Sequence, residues 1–214
     1  MNTGIGDAEN LAWKLALVVD GRADERLLDT YEAERRPIAE NVLATTSGLT
    51  EIVLGEGRAA RLLRDHVAVP LLKSAWLQRR IFDRSSQLQV SYRRGPLGAG
   101  LPSPGLRQGD RVPDRLCTRT DGTTIRLHEA LGPEWVLLEP ASLAGVAKAR
   151  LGNVAVLRGS YSDALLMRPD GHLAWRGSKP GELEAWLDAT LRRRVGAPHP
   201  SERCDTRQTE DAEN

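Results

Sequence analysis

The first twenty positions of the chain alternate apolar and polar residues with the period of an α-helix. Apolar residues that recur three or four positions apart give a helix one apolar face. Here they are Ile5, Ala8, Leu11, Ala12, Leu15, Ala16 and Val19. We therefore predict a helix whose apolar face points into a core. It should end at Asp20 and Gly21, because glycine adopts the left-handed C-terminal conformation at little cost.

A second helix is predicted to begin near Asp24, whose short side chain suits an N-cap. Its inward-facing residues are predicted to be Leu27, Leu28, Tyr31 and Ala39. Pro37 predicts a kink or a restart of this helix, because proline has no amide proton and clashes with the preceding turn. Residues 58–86 repeat the helical spacing. Residues 94–106 are so rich in glycine and proline that we predict an interdomain linker.

From residue 107 onward, short strands replace the helical pattern. Asp121 and Gly122 are the sequence signal for a tight hairpin turn, because both tolerate positive φ. Pro169, Asp170 and Gly171 predict a second hairpin. The predicted strands are residues 116–120, 123–127, 135–138, 154–157, 164–168 and 172–176, and the predicted helices are residues 143–151 and 182–194. This order predicts a small α/β sandwich, followed by a disordered tail at residues 196–214.

The overall composition narrows the classes of function. Among 214 residues, 30 Lys and Arg balance 29 Asp and Glu to a net charge of +1, which lacks the strong basic field of nucleic-acid binders. No apolar run approaches the ~18 residues that span a bilayer. We therefore expect neither a nucleic-acid partner nor a membrane partner. Cys117 and Cys204 are the only cysteines, which favours a reducing cytoplasm over a disulfide framework.

Several familiar catalytic patterns are missing or misplaced. The four histidines, His66, His128, His172 and His199, show no metal-ligand spacing, and no serine lies in a G-x-S-x-G motif. Residues 55–60 match G-x-G-x-x-A, but the helical pattern that follows lacks the second parallel strand that dinucleotide binding requires. We therefore predict neither a metal site nor a catalytic residue in this chain.

Two segments near the start resemble a known family. Residues 1–15 read MNTGIGDAENLAWKL, and residues 28–37 read LDTYEAERRP. They resemble the motifs G-M-N-x-G-x-x-D-A-x-N-L-x-W-K-L and Y-x-x-E-R-x-P of class A FAD-dependent aromatic hydroxylases. A helix N-terminus carries unpaired amides and a partial positive charge, which suits an electron-rich group. The resemblance implies a cofactor site for FAD formed by Met1, Asn2, Thr3, Gly4 and Asp7.

The second half resembles the thioredoxin-like C-terminal domain of the same hydroxylases. The element RPDGHLAWR, residues 168–176, carries much of this similarity. Thiol redox chemistry requires two cysteines at C-x-x-C spacing, which the sequence lacks, so we predict a structural or dimer-contact domain. The resemblance implies an α+β fold class. A helical C-terminal remnant of an FAD-binding domain, residues 1–93, would precede a thioredoxin-like α/β domain, residues 107–195.

The resemblance implies a function in aromatic hydroxylation. Members of the family reduce FAD with NAD(P)H and insert one oxygen atom of O2 into an aromatic substrate, as in polyketide tailoring. Their G-x-G-x-x-G and G-D motifs precede the segment at Met1, so we expect this chain to be a C-terminal part, inactive alone. Glu34 and Arg35 look like structural pairing groups. The alternative is a noncatalytic, homodimeric interaction module with a thioredoxin-like fold.

Overall fold

The computed structural model describes residues 2–54, 62, 65–66, 69–76, 78, 90–98, 105–132, 134–138, 141–159 and 161–191. Its helices are α1 (Asn2–Val19), α2 (Arg26–Leu54), α3 (Val69–Leu72), α4 (Leu127–Ala130), α5 (Ala144–Leu151) and α6 (Pro180–Leu191). Its strands are β1 (Leu116–Arg119), β2 (Thr124–Arg126), β3 (Trp135–Leu138), β4 (Val154–Arg158), β5 (Ala164–Met167) and β6 (Leu173–Gly177). Helices therefore combine with one mixed sheet, which confirms the predicted α+β class.

The six strands form a single sheet in the order β2-β1-β4-β3-β5-β6. Strands β3 and β4 are parallel, and the other neighbours are antiparallel. Both predicted hairpins are present, and each has a glycine at positive φ in its turn, Gly122 at 87° and Gly171 at 81°. Glycine adopts this conformation without the steric penalty of a side chain. The two turns therefore place β1 against β2 and β5 against β6, as the sequence predicted.

Each face of the sheet is covered by a separate apolar cluster. In β3, Trp135 and Leu137 point to the first cluster, while Val136 and Leu138 point to the second. This alternation is the two-residue period of a strand buried on both faces. Helices α1, α5 and α6 cover the first face, and residues between 106 and 131 cover the second. The first helix therefore shares a core with the C-terminal sheet.

The turn between α1 and α2 forms as the sequence predicts. Gly21 follows α1 at a φ of 65°, and the amide of Arg22 donates to the carbonyl of Leu17 at 2.8 Å. Asp24 Oδ1 accepts a hydrogen bond from the amide of Arg26 at 3.0 Å, which caps α2. Helix α2 continues through Pro37, so the helix does not restart there, and a kink at Pro37 stays a prediction.

The predicted inward face of α1 was also wrong. Ile5, Leu15 and Val19 are 54%, 46% and 65% exposed. The residues of α1 that are buried instead are Asn10, Trp13, Lys14 and Leu17. Apolar spacing could not identify this face, because two of its four residues are polar and depend on distant partners. As a consequence, α1 presents an exposed stripe made of Ile5, Ala8, Ala12, Leu15 and Val19.

Some predictions fall outside the described residues. These are the structure of Met1, the G-x-G-x-x-A segment at 55–60, much of the helical pattern at 58–86, and the tail at 196–214. The domain division at residues 94–106 stays a prediction. Within the described part of the chain, none of the helices combines the length and apolarity that crossing a bilayer needs.

The segment that precedes β1 is tied to the hairpin of β5 and β6 by backbone hydrogen bonds. The amide of Tyr92 donates to the carbonyl of Gly109 at 2.7 Å, and the amide of Gly109 donates to the carbonyl of Leu173 at 2.8 Å. Gly109 has a φ of 84°. A Cβ at this position would lie 2.5 Å from the carbonyl carbon of Tyr92. Only glycine therefore fits where Tyr92 crosses the hairpin.

We predict that Gly109→Ala destabilises the chain much more than Gly122→Ala. Both glycines have positive φ, which alone costs an alanine about 1–2 kcal/mol. At Gly122 an added Cβ meets nothing within 4 Å, whereas at Gly109 the backbone of Tyr92 must move. Urea denaturation should show a loss at least ~2 kcal/mol larger for Gly109→Ala. Equal losses would contradict the close approach of Tyr92.

Candidate functional site

The predicted cofactor residues lie in the first two turns of α1. Asn2 begins the helix, and Met1 lies outside the described residues. Gly4 is exposed, and a Cβ added there would meet nothing within 4 Å. Thr3 and Asp7 are half-buried. The first amides of a helix lack intrahelical acceptors, so this turn presents donors beside open space at Gly4.

A single arginine of α2 holds this turn in place. Arg35 Nε donates to Asp7 Oδ1 at 2.6 Å, and Arg35 Nη2 donates to the carbonyl of Thr3 at 3.0 Å. A Cβ at Gly6 would lie 3.1 Å from Arg35 Nη2, so glycine lets the guanidinium lie close to the helix. The third hydrogen bond runs from Nη1 to the hydroxyl of Tyr92 at 2.9 Å. Asp7, predicted as a cofactor residue, therefore serves here as the partner of Arg35.

The neighbouring Glu34 is surrounded by donors from two other parts of the chain, α1 and the turn between β5 and β6. Its Oε2 accepts hydrogen bonds from Asn10 Nδ2 at 2.7 Å and from Lys14 Nζ at 2.9 Å. Its Oε1 accepts from Arg168 Nη1 at 2.9 Å. The side chains of Lys14 and Glu34 are both 0% exposed. A fully buried carboxylate thus joins α1 and α2 to the turn between β5 and β6.

The hairpin turn supplies the second acid of this arrangement. Both oxygens of Asp170 accept hydrogen bonds from the guanidinium of Arg168. Oδ1 accepts from Nε at 3.0 Å, and Oδ2 accepts from Nη2. Asp170 Oδ2 also accepts from Trp13 Nε1 at 3.3 Å. We call the following four residues the buried charge network: Lys14, Glu34, Arg168 and Asp170. Two cations and two anions balance within it, as burial of charge requires.

Aromatic rings enclose the guanidinium of Arg168. Its central carbon lies 5.0 Å from the ring centroid of Trp13 and 5.0 Å from that of Tyr92. Trp13 also meets Trp135 of β3 edge to face at 5.2 Å. Such contacts are favourable for a cation and a ring face and for two perpendicular rings. The rings exclude water from the buried charge network.

The surroundings shift the pKa values of the acidic groups downward. Burial alone would raise the pKa of Glu34, but the adjacent Arg168 and Lys14 outweigh it and hold the pKa below its usual value. Burial opposes ionisation of Asp170 as well, yet Arg168 and the contacts of His172 lower its pKa. Burial lowers the pKa of Lys14 to about 8. Both acids therefore stay ionised at neutral pH and are ill suited to donate a proton.

Several residues of the motif at residues 1–15 have a structural role. Asn10, Trp13 and Lys14 of the motif at residues 1–15 hold partners in α2 and in the hairpin. The prediction that Glu34 and Arg35 act as pairing groups is confirmed. Sequence reasoning missed the roles of Tyr92 and Lys14, and no local signal pairs them with their partners. Among the described residues, no group of three or more potential ligands is placed to hold a metal ion.

Two family models match the chain in the regions that this network joins. The first, described as an FAD binding domain, matches residues 1–46, and the second, described as aromatic-ring hydroxylase, C-terminal, matches residues 106–198. Over these two regions the chain resembles aromatic-ring hydroxylases. Its two matched regions are the ones that Glu34 and Arg168 connect.

Curated relatives of this chain are monooxygenases. A rifampicin monooxygenase of Streptomyces venezuelae is 33% identical over 196 residues, which cover 88% of this chain and 38% of the relative. A 12-dehydrotetracycline 5-monooxygenase/anhydrotetracycline 6-monooxygenase of Streptomyces rimosus is 34% identical over 211 residues, covering 92% and 40%. The chain therefore spans about two fifths of the length of the curated relatives that it matches, and it matches their C-terminal portion.

Two solved structures have the same arrangement over most of this chain. BexE superposes with a TM-score of 0.66 at 32% identity, covering 93% of this chain and 41% of BexE. The rebeccamycin biosynthetic enzyme RebC, solved with reduced flavin, superposes with a TM-score of 0.65 at 29% identity, covering 90% and 41%. The joined helical and sheet regions described above therefore recur in both of these proteins, one of which was solved with reduced flavin.

We predict that Glu34→Gln strongly destabilises the chain, whereas Glu32→Gln does not. Loss of the Glu34 charge leaves Lys14 buried beside Arg168, and removing one partner of a buried pair costs about 3–5 kcal/mol. Glu32 lies on the same helix but is 72% exposed and pairs with an exposed Arg36, so its loss should cost at most ~0.5 kcal/mol. Urea denaturation of both variants measures the difference.

A similar, small loss for the two variants would contradict this account of Glu34. It would show that water or rearrangement compensates Lys14 and Arg168 without the carboxylate.

Proposed function

We propose that this chain is the C-terminal part of an FAD-dependent aromatic monooxygenase in which the first turn of α1 contacts FAD. The observation that carries the proposal is the open helix N-terminus at Gly4, which lies within the segment matched by the FAD binding domain. Met1, Asn2, Thr3, Gly4 and Asp7 are the proposed cofactor residues, with Asp7 acting through Arg35.

The described residues fit the electron-rich edge of a flavin. The amides at the start of a helix carry about half a positive charge and lack acceptors in their own helix. Gly4 leaves room for a flat ring to approach, since an added Cβ would meet no atom within 4 Å. Arg35 fixes the turn through the carbonyl of Thr3 at 3.0 Å. Preorganised donors of this kind stabilise developing negative charge.

We infer the chemistry from the monooxygenase activities of the relatives. When bound, FAD would accept electrons from NAD(P)H and enable transfer of an oxygen atom from O2 to an aromatic substrate. The residues of this chain would orient the cofactor and neutralise charge at its edge. Among the described residues, the four charges of the buried charge network are paired with one another, so we assign none of them a proton-transfer step.

The exposed stripe of α1 supports the same proposal. Ile5, Leu15 and Val19 are large apolar side chains on one helix face, and a contiguous apolar surface favours an interaction site. The relatives are about two and a half times as long as the region that they share with this chain. We infer that further parts of an FAD-binding domain cover this stripe in the working enzyme.

The same stripe also favours a second function, that of a noncatalytic homodimeric module. Two copies of α1 would then cover each other's apolar residues. A chain that takes up no FAD, is dimeric in solution and becomes monomeric on Leu15→Asp would favour this function over the first. For either function we propose the cytoplasm as the compartment, because the two cysteines of the sequence do not have the number or spacing of a disulfide framework.

We predict that a chimera restores flavin binding. In it, the part of the Streptomyces rimosus anhydrotetracycline monooxygenase that precedes the shared region is joined to this chain. The chimera should purify with FAD and oxidise NAD(P)H when an aromatic substrate is present. Gly4→Asp should lower both FAD content and substrate-dependent oxidation at least about tenfold, because its carboxylate repels charge at the flavin edge. Flavin released on denaturation and NAD(P)H absorbance measure the two quantities.

Gly181→Asp is the matched control for Gly4→Asp. It makes the same substitution at an exposed glycine in the first turn of α6, where an added Cβ also meets nothing within 4 Å, and it should leave FAD content within about twofold of the parent chimera. An aspartate in the first helical turn is favourable for the helix itself, so unwinding of α1 would not explain a loss at Gly4. A parent chimera without FAD, or equal FAD content in both variants, would overturn the proposal.

A further inference from the structure

We propose that Tyr92 and Arg35 are positioning residues through which the C-terminal sheet fixes the flavin-facing turn of α1. This inference rests on the proposed function. Neither residue would touch the cofactor. Instead, Arg35 would hold the turn, and Tyr92 would hold Arg35 at a place determined by the hairpin between β5 and β6.

The first step of the connection is the division of one guanidinium among three acceptors. Arg35 donates to Asp7 and to the carbonyl of Thr3, both in the proposed cofactor turn, and to the hydroxyl of Tyr92. Arg35 is only 4% exposed. A buried guanidinium with directed donors has a fixed orientation. Tyr92 is therefore the acceptor outside α1 that orients the arginine.

The second step is that contacts with the C-terminal sheet fix the position of Tyr92. Its ring lies 4.3 Å from the ring of His172 and 5.0 Å from the guanidinium of Arg168. Its amide donates to the carbonyl of Gly109 at 2.7 Å. Burial raises the pKa of Tyr92, so its hydroxyl stays neutral and accepts the hydrogen bond from Arg35. Ring, backbone and hydroxyl all hold this tyrosine in one position.

The third step is the dependence of flavin chemistry on small displacements. Donors stabilise a developing charge only when they are held at hydrogen-bond distance from it, and a displacement of about 1 Å in such a site lowers a rate about a hundredfold. Arg35 contacts the carbonyl of Thr3, one residue from the open position at Gly4. Loosening the arginine should therefore move the turn that faces FAD, even where the fold persists.

The test compares Tyr92→Phe with Tyr161→Phe. Tyr92→Phe keeps the ring but removes the acceptor for Arg35. Tyr161 lies in the same sheet region, and its buried hydroxyl has no hydrogen-bond partner among the described residues, so the same substitution there removes no such bond. The first readout is hydrogen exchange in this chain without flavin. Exchange of the amides of residues 6–8, which donate to carbonyls four residues earlier, should be about tenfold faster only in Tyr92→Phe.

The second readout is the behaviour of FAD in the chimera described above. Tyr92→Phe should weaken binding of reduced FAD about tenfold more than binding of oxidised FAD, because the donors at α1 act on the added negative charge. The two-electron midpoint potential would then fall by about 30 mV. A merely structural role would speed exchange in α6 as well and leave this potential unchanged. Tyr161→Phe should change neither quantity.

The outcomes separate this proposal from the proposed function. Unchanged exchange at residues 6–8 in Tyr92→Phe would overturn the connection through Arg35. Faster exchange with an unchanged potential would overturn its effect on flavin. A parent chimera that binds no FAD would overturn the proposed function and with it the flavin effect, while the exchange data would still decide whether Tyr92 holds the turn.

Discussion

The ion pairs of the Glu34 carboxylate with Lys14 and Arg168 are the interaction on which the rest of the arrangement depends. The carboxylate lies without solvent exposure between Lys14 of α1 and Arg168 of the hairpin. A buried charge is tolerated only when its partners are in place. Helix α1, helix α2 and the turn after β5 must therefore assemble together. Full replacement of such a network by apolar residues is often neutral in other proteins, so we infer that the network here acts mainly by specifying one arrangement.

This constraint explains why the segment at residues 1–15, which lies in the FAD binding domain match, holds several residues that face away from the open turn at Gly4. Asn10, Trp13 and Lys14 bind Glu34 or Asp170. They position the helix, and its first turn remains available to a ligand. The two matched family regions thus depend on one another physically. The C-terminal sheet contributes Arg168 and Asp170 to the placement of a helix that belongs to the FAD binding domain match.

Local signals predicted the sheet well because its turns and strands are encoded locally. Gly122 and Gly171 supply positive φ where the hairpins turn, and Trp135–Leu138 is an unbroken apolar strand buried on both faces. The buried face of α1 was not predictable in this way. Lys14 can be buried because it pairs with Glu34, which lies 20 residues away in sequence. Glu34 in turn pairs with Arg168, which lies 134 residues away.

Prediction of the candidate site from sequence meets the same limit, because its contacts join residues that are distant in sequence. Resemblance led to Gly4 and Asp7, but nothing near Tyr92 in the sequence indicates that it accepts a hydrogen bond from Arg35. Pro37 illustrates a different limit. Both Pro37 and Ala33, whose carbonyl loses its usual donor, are exposed, so water can satisfy that carbonyl and α2 continues.

The most direct test of the central claim is a double-mutant cycle between Glu34 and Arg168, measured by urea denaturation of the chain. Glu34→Gln, Arg168→Met and the double variant give the energy of their interaction. If the carboxylate and guanidinium depend on each other, the double variant should be less destabilised than the sum of the single variants by about 2 kcal/mol or more. Additivity within ~0.5 kcal/mol would contradict the claim.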